Sequence, residues 1–214
     1  LTAGFLVVAL VPVGVVGPIA YQQSKTELVN GLGASLTAQA AETIDKIDRN
    51  LFERYGDVQA FAYPRFLRGS PEELAEAADF YVRNYGIYDL IVVTDADGRV
   101  VGTNTVDHQG KALATEKLIG RSVRGQKWFE AIQSGEVGLG ESYYEDLAED
   151  PWVAEVYGGR GLTLNFSAPI FDEEGALIGT WSNRASFDRV VAPIMAAARK
   201  GLTEQGFQSV ETQV

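Results

Sequence analysis

Apolar positions along the chain change period three times. From Leu1 to Ala20 nearly every residue is apolar, and the first charge is Lys25. About 20 such residues are what a helix needs to cross a bilayer, and transmembrane helices tolerate kinks such as Pro12 and Pro18. This predicts a membrane span over residues 1–21, ahead of a signal peptide, whose basic start is not present. From Gln22 onward Leu28, Leu32, Leu36, Ala40, Ile44, Ile47, Leu51, Val58 and Phe61 recur at steps of three, four or seven, with charges mostly between them. That pattern predicts a stalk helix over 22–63, ended by Pro64. Roughly 40 residues at about 1.5 Å each give a rod on the order of 60 Å. Its apolar flanks suit both its own domain and a partner helix from a second subunit, so a homodimer is expected.

Beyond Pro64 the period shortens. Ser70-Pro-Glu-Glu has a serine cap, a proline at the first helical position and acids in the first turn; a helix is predicted from there to Tyr85, closed by Gly86. Leu90 to Val93 is a continuous, mostly β-branched run that suits a strand covered on both faces. Asp97-Gly98 turns it back through residues 99–104 as a hairpin. A second hairpin of the same design runs from Leu162 to Phe171, turns at Asp172-Glu-Glu-Gly175 and returns to Asn183. Between them lie a predicted helix from Gln126 to Ser134 and a strand from Gly138 to Asp146. A last helix is predicted over Phe187 to Arg199, bent or delayed by Pro193. Residues 207–214 alternate like a strand. Hairpin, helix, strand, hairpin, helix is the order of an α+β module with a central antiparallel sheet flanked by helices.

Composition narrows the function. The 214 residues carry a net charge of −11, with a sequence pI of about 4.6, so nucleic acid and anionic lipid headgroups are poor partners for the part outside the membrane. There is no cysteine and one histidine, His108; thiol catalysis, serine–histidine catalysis and multi-histidine metal sites are therefore excluded as leading readings. Asp95-Ala-Asp97-Gly98 reads as a turn and not as a calcium loop, which needs more ligands and a distal Glu. Tyr157-Gly-Gly-Arg-Gly161 leads into a strand, where a phosphate cradle needs a helix start. Glu145, Asp146, Glu149 and Asp150 form an acidic cluster. A hydrolase built on paired carboxylates is the alternative they offer, against the simpler reading of a solvated loop.

The succession of a membrane helix, a long outward helix, a Val-Val-Thr-Asp-x-Asp-Gly hairpin, the Trp128-Phe129 helix, a Tyr144-x-Asp146 strand and a Gly179-Thr-Trp-Ser-Asn183 closing strand resembles the double Cache sensor domains. These are PAS-like extracytoplasmic ligand modules of bacterial methyl-accepting chemotaxis receptors and of some sensor kinases and cyclases. The resemblance implies a membrane-distal module over residues 64–200, carried on the stalk helix. It also implies the start of a membrane-proximal module at 201–214. The expected function is small-molecule sensing at the periplasmic or extracellular face of the bacterial inner membrane, signalled by helix movement. No catalysis, cofactor or metal is expected. A sensor domain of a histidine kinase or diguanylate cyclase is the near alternative.

By the same resemblance, the amino-acid-binding members use an Arg-x-Trp-aromatic element, a Tyr-x-Asp element and an acid on the last strand. Trp128 and Phe129 fit the first, Tyr144 and Asp146 the second. Gln126 stands in the place of the arginine, and Asn183 falls near the final acid. An amide cannot offer a carboxylate the charged fork of a guanidinium. Trp128, Tyr144 and Asp146 together would suit a cation. Alternation sends one of Tyr143 and Tyr144 inward, and the resemblance selects Tyr144. Trp128 and Phe129 read equally as core. Arg184, Arg121, Arg124 and Arg160 read as solvated or paired on the surface, with one of them able to replace the clamp.

Overall fold

A computed structural model describes residues 2–207, with side chains from residue 14 onward. The chain divides into two compact units, residues 1–45 and 46–214. Helix α1 spans Thr2–Phe61. Among the described residues of the first unit it is the only element, and its apolar side chains Val15, Ile19, Leu28 and Val29 are exposed. Among the described residues no helix is long and apolar enough to cross a membrane. Much of the predicted span over 1–21, and the strand predicted over 207–214, lie outside the described side chains and residues.

The second unit is built on a five-stranded antiparallel sheet. Its strands are β1 (Tyr88–Asp95), β2 (Val100–Thr103), β3 (Tyr143–Glu149), β4 (Leu162–Phe171) and β5 (Leu177–Ser186), in the order β2-β1-β5-β4-β3. Its helices are α2 (Pro64–Arg68), α3 (Pro71–Tyr85), α4 (Lys127–Gln133), α5 (Pro151–Tyr157), α6 (Phe187–Val190) and α7 (Ala192–Glu204). This is the α+β, PAS-like arrangement expected. Both hairpins close as predicted. In the first, Gly98 N–H donates to the Asp95 carbonyl and the Asp95 carboxylate accepts from Arg99 N–H. In the second, Gly175 N–H donates to Asp172 O and the Asp172 carboxylate accepts from Glu174 and Ala176. Gly98 has φ +78°, and a Cβ there would lie 2.7 Å from the Phe129 ring, so turn and α4 close on one another only through glycine.

Ser70 caps α3 with a reciprocal pair: its hydroxyl accepts from Glu73 N–H at 3.2 Å, and Glu73 accepts from Ser70 N–H at 3.0 Å. The helix buries Leu74, Ala78 and Val82, one per turn, on the sheet. With the last turns of α1 it covers one face, where Ile91, Val93, Leu164, Phe166, Ala168, Ile170 and Trp181 form the main core with Val58 and Phe61. Phe61 stacks on Tyr81 at 3.8 Å and meets Trp181 edge-on at 6.3 Å. Each fully buried aliphatic side chain here contributes about 1.5–3 kcal/mol. Leu90 and Val92 face the other way, into a second cluster with Leu118, Trp128, Phe129 and Val153 under α4 and α5. Residues 90–93 are thus covered on both faces, as their unbroken apolar run requires.

Three boundaries differ from expectation. Strand β3 starts at Tyr143, because residues 138–142 turn on a Glu141 carboxylate that accepts from Gly138 N–H. The last helix is split at Val191, where Pro193 restarts it, and α7 then passes through Gly201 to Glu204 instead of ending near residue 200. Helix α5 stands where only loop was expected.

Candidate functional site

The second face of the sheet is polar at its centre. Register pairs Asn165 with Arg184 and Ser167 with Ser182 across β4 and β5, and Val92 with Ser182 and Leu90 with Arg184 across β1 and β5. Since alternate residues of a strand share a face, Thr163, Asn165, Ser167, Thr180, Ser182 and Arg184 all lie on the side of Leu90 and Val92. All six are buried.

Arg184 is the centre of this group and is 3% exposed. Its Nη1 donates to the Ser182 hydroxyl at 2.6 Å and to the Ser182 carbonyl at 3.2 Å. Its Nε donates to Asp150 Oδ2 at 3.2 Å. Its guanidinium lies 5.4 Å from the centre of the Trp128 ring, within cation–π range. The Ser182 hydroxyl also meets that of Ser167 at 2.6 Å. Beyond them the hydroxyls of Thr94 and Thr180, paired across β1 and β5, are buried with no hydrogen-bond partner. Buried polar atoms without partners are costly in a core and are where a bound molecule or water is expected.

Asp150 is set by local sequence. Followed by Pro151, it is the N-cap of α5: its Oδ1 accepts from Trp152 and Val153 N–H at 2.8 and 3.0 Å. That leaves Oδ2 for Arg184. The glycines of residues 158–161 close the chain round this helix; at Gly161, φ +65°, a Cβ would come 2.5 Å from the Asp150 carbonyl. On its outer side α5 is held by Glu155, which accepts from Nη1 and Nη2 of Arg121 at 2.8 Å each. The Arg121 hydrogen bonds, aided by Lys117, bring the Glu155 carboxyl down to about 2. At its end the Tyr157 hydroxyl donates to the Asp89 carbonyl at 2.7 Å, and burial raises its phenol well above the usual range.

The residues predicted for the site are not all brought together. Trp128 faces Arg184, with Phe129 edge-on to it at 6.0 Å, and both are buried. Gln126 is exposed at the start of α4, where its carbonyl accepts from Phe129 and Glu130. Tyr144 is 64% exposed, and Asp146 also faces solvent. The inward tyrosine is Tyr143, packed between α4 and the sheet. Its partner Ser167 lies on the polar face, whereas Tyr144 pairs with Phe166 of the other face. The selection of Tyr144 as inward is therefore corrected by register. Asn183 is buried on the opposite face, accepting from Trp181 Nε1 at 2.8 Å. One-residue alternation puts Arg184, not Asn183, beside Trp128, so the reading of Arg184 as a surface residue is also corrected.

The acidic cluster is dispersed. Glu145 accepts from Asn165, Glu149 pairs with Arg160, Asp150 caps α5 and Asp146 faces solvent. Among the described residues no group of acids or histidine could hold a metal. An open cleft of about 800 Å³ lies elsewhere, between the end of α1 and the loop at Leu139 and Gly140, and its lining includes Gly56, Ala60 and Ala168.

The sequence matches no protein-family model and no curated protein. Its structure is similar to solved sensor domains. One is the Vibrio cholerae histidine kinase DctB sensor domain, with a TM-score of 0.55 and 10% identity over 77% of this chain and 59% of that one. Another is the ligand-binding domain of the Pseudomonas aeruginosa PAO1 amino acid chemoreceptor PctC in complex with GABA. Its TM-score is 0.52, with 15% identity over 74% of this chain and 66% of that one. This chain spans less than two thirds of the length of either. At such identities the likeness is one of fold: the module has the PAS-like fold of extracellular ligand-binding sensor domains.

Proposed function

We propose that this chain is the extracytoplasmic sensor part of a bacterial membrane receptor. On this reading it binds a small molecule between the sheet and helices α4 and α5, and it catalyses nothing. The observation that carries this is Arg184, a buried guanidinium on Trp128 in a buried face of hydroxyls, some without partners. A domain stabilised only for its own sake would bury apolar groups there. The guanidinium of Arg184 suits the acid group of a ligand. The ring of Trp128 already carries a guanidinium, so a second cation is disfavoured, and a carboxylate-bearing ligand replaces the cation first expected. GABA, bound by the similar chemoreceptor domain, carries such a group. Residues 1–21 serve as the membrane span, 22–63 as the stalk that pairs in a homodimer, 64–200 as the distal module and 201–214 as the start of a proximal one. The whole reads as a chemoreceptor of the methyl-accepting class, with the sensor of a histidine kinase or diguanylate cyclase as the alternative that shares the same order of elements.

A melting-temperature screen of the chain in detergent against amino acids, simple carboxylic acids and amines tests this. A concentration-dependent rise with at least one acid, and recovery of that acid unaltered, is expected; a ligand present at about a hundred times its Kd stabilises by about 2.7 kcal/mol. Shifts with amines alone would overturn the assigned ligand class. Chemical conversion of the ligand would overturn the sensor reading.

A further inference from the structure

Two consecutive residues of β1 gather ties from most of the module. The register of β1 against β5 shifts between Tyr88 and Leu90, so Asp89 stands in a bulge. On the apolar face the Tyr88 hydroxyl donates to Asp57 Oδ2 of α1 at 2.7 Å, and Asp57 pairs with Arg54 one turn earlier at 2.9 Å. The Asp89 carbonyl accepts from Tyr157 of α5 at 2.7 Å and from the buried amide of Asn104 at 3.2 Å. The Asp89 carboxylate is hydrogen-bonded to Arg189 of α6. Just before the bulge, the Ile87 carbonyl accepts from Ser186 N–H at 2.8 Å, at the start of α6. The incoming helix, the helix over the polar face and the outgoing helices thus meet within residues 87–89.

A bulge is where a sheet can shift locally without losing register, and where a side chain is re-aimed away from the ladder. At Asp89 the two sides of one residue serve different helices: the carbonyl is held by α5, the carboxylate by α6. Displacement of α5 pulls on the carbonyl, turns the peptide and moves the carboxylate with it. Arg189 then carries the movement into α6 and, across the break at Val191, into α7.

We propose that the Asp89 bulge is the coupling joint through which α5 biases α6 and α7, with Tyr157, Asp89 and Arg189 as its positioning residues. Its use as a signal rests on ligand binding under α5, but the coupling itself is testable with no ligand. Thermodynamic coupling is reciprocal, so loosening either end loosens the other.

The experiment is hydrogen–deuterium exchange of the full chain in detergent. Tyr157→Phe removes one hydroxyl and keeps the ring. It is expected to speed exchange across residues 187–204 by about two- to tenfold, the population change that follows the loss of one neutral hydrogen bond. Arg189→Lys is expected to speed exchange across 151–157 in return. In an Asp89→Asn background the carbonyl remains but the ion pair is gone, so Tyr157→Phe should then leave 187–204 unchanged. Faster exchange confined to 151–157 and 88–91 in Tyr157→Phe would overturn the proposal. So would full additivity of Tyr157→Phe and Asp89→Asn at residues 187–204. Because no ligand enters, failure here is separate from failure of the melting screen.

Discussion

The two faces of the sheet are made from the same strands, one residue apart, yet they are built on opposite terms. Ile91, Val93, Leu164, Phe166, Ala168 and Trp181 face α1 and α3 and form an apolar core with stacked aromatics. Their neighbours in sequence, Asn165, Ser167, Thr180, Ser182 and Arg184, face α4 and α5 and are just as buried. Burying the first set stabilises the fold outright. The second set must recover its desolvation cost through hydrogen bonds, and a buried ion pair rarely does better than break even against apolar residues of the same shape. One face therefore holds the module together. The other is kept polar at a cost in stability, which agrees with the binding role proposed for it.

The sharpest way to break that comparison is at the ion pair. Arg184→Met should cost about 3–5 kcal/mol, because it leaves the Asp150 carboxylate buried without its cation. Adding Asp150→Asn should recover most of the loss, since asparagine still caps α5. Urea melts of the single and double variants measure both. A small loss in the single variant would mean that water already reaches the pair and that this face is not a sealed interior.

High pH tests both faces at once, through one tyrosine on each, Tyr88 fully and Tyr157 partly buried. Tyr88 belongs to the apolar core and Tyr157 packs in the cluster under α4 and α5. Burial is the main cause raising both phenols; hydrogen bonding to Asp57 adds to it at Tyr88 and the nearby Asp89 at Tyr157. A raised phenol means that the folded state holds its proton more tightly than the unfolded chain. The stability it supports is whole below the unfolded value of about 10 and falls as pH climbs above it. Absorbance titration near 295 nm should find neither phenol ionising before unfolding, with the melting temperature declining from about pH 10. Tyr88→Phe and Tyr157→Phe should each flatten that decline, because both phenols keep their proton in the folded state while the unfolded chain loses it.

How much of this was legible in the sequence follows from the same alternation. The hairpins were readable because Asp-Gly and Asp-x-x-Gly turns are local chemistry, and α3 because its cap is written in Ser70-Pro71-Glu72-Glu73. Helix α5 carries the same signal in Asp150-Pro151, but the acids around it read more easily as a solvated loop. Which of Tyr143 and Tyr144, or of Asn183 and Arg184, faces α4 depends on register. Register is fixed by pairing with β4 and β1, far away in sequence, and a slip of one residue exchanges the faces. The strand order, with β5 between β1 and β4, is likewise a product of tertiary packing and leaves no local trace.

A methylene removed from the apolar face gives the next, smaller effect. Ile91→Val is expected to cost about 0.5–1.5 kcal/mol by denaturant melts, since Ile91 is wholly buried. Val92→Thr on the other side of the same strand introduces a hydroxyl beside Ser182, where a partner is at hand. Its cost should be no greater than that of Ile91→Val, although Thr is normally the worse replacement in a core. A cost for Val92→Thr well above that of Ile91→Val would erase the distinction drawn between them.

The smallest effect is expected at the sheet's edge. Asp146 faces solvent on β3, and Tyr144 beside it is mostly exposed on the side of the strand that pairs with Phe166. Neither side chain reaches the group formed by Arg184, Asp150 and Trp128. Asp146→Asn removes an exposed charge from a chain that already carries −11, so its effect on stability should stay within about 0.5 kcal/mol. It should also leave the melting shift given by any acid found in the screen unchanged, where Arg184→Lys reduces it, because an ammonium lacks the planar fork of the guanidinium. The two variants should be measured side by side at one ligand concentration. A lost shift in Asp146→Asn with a retained one in Arg184→Lys would move the site from the buried polar face to the exposed edge of β3, and the Tyr144-x-Asp146 element would return as its centre.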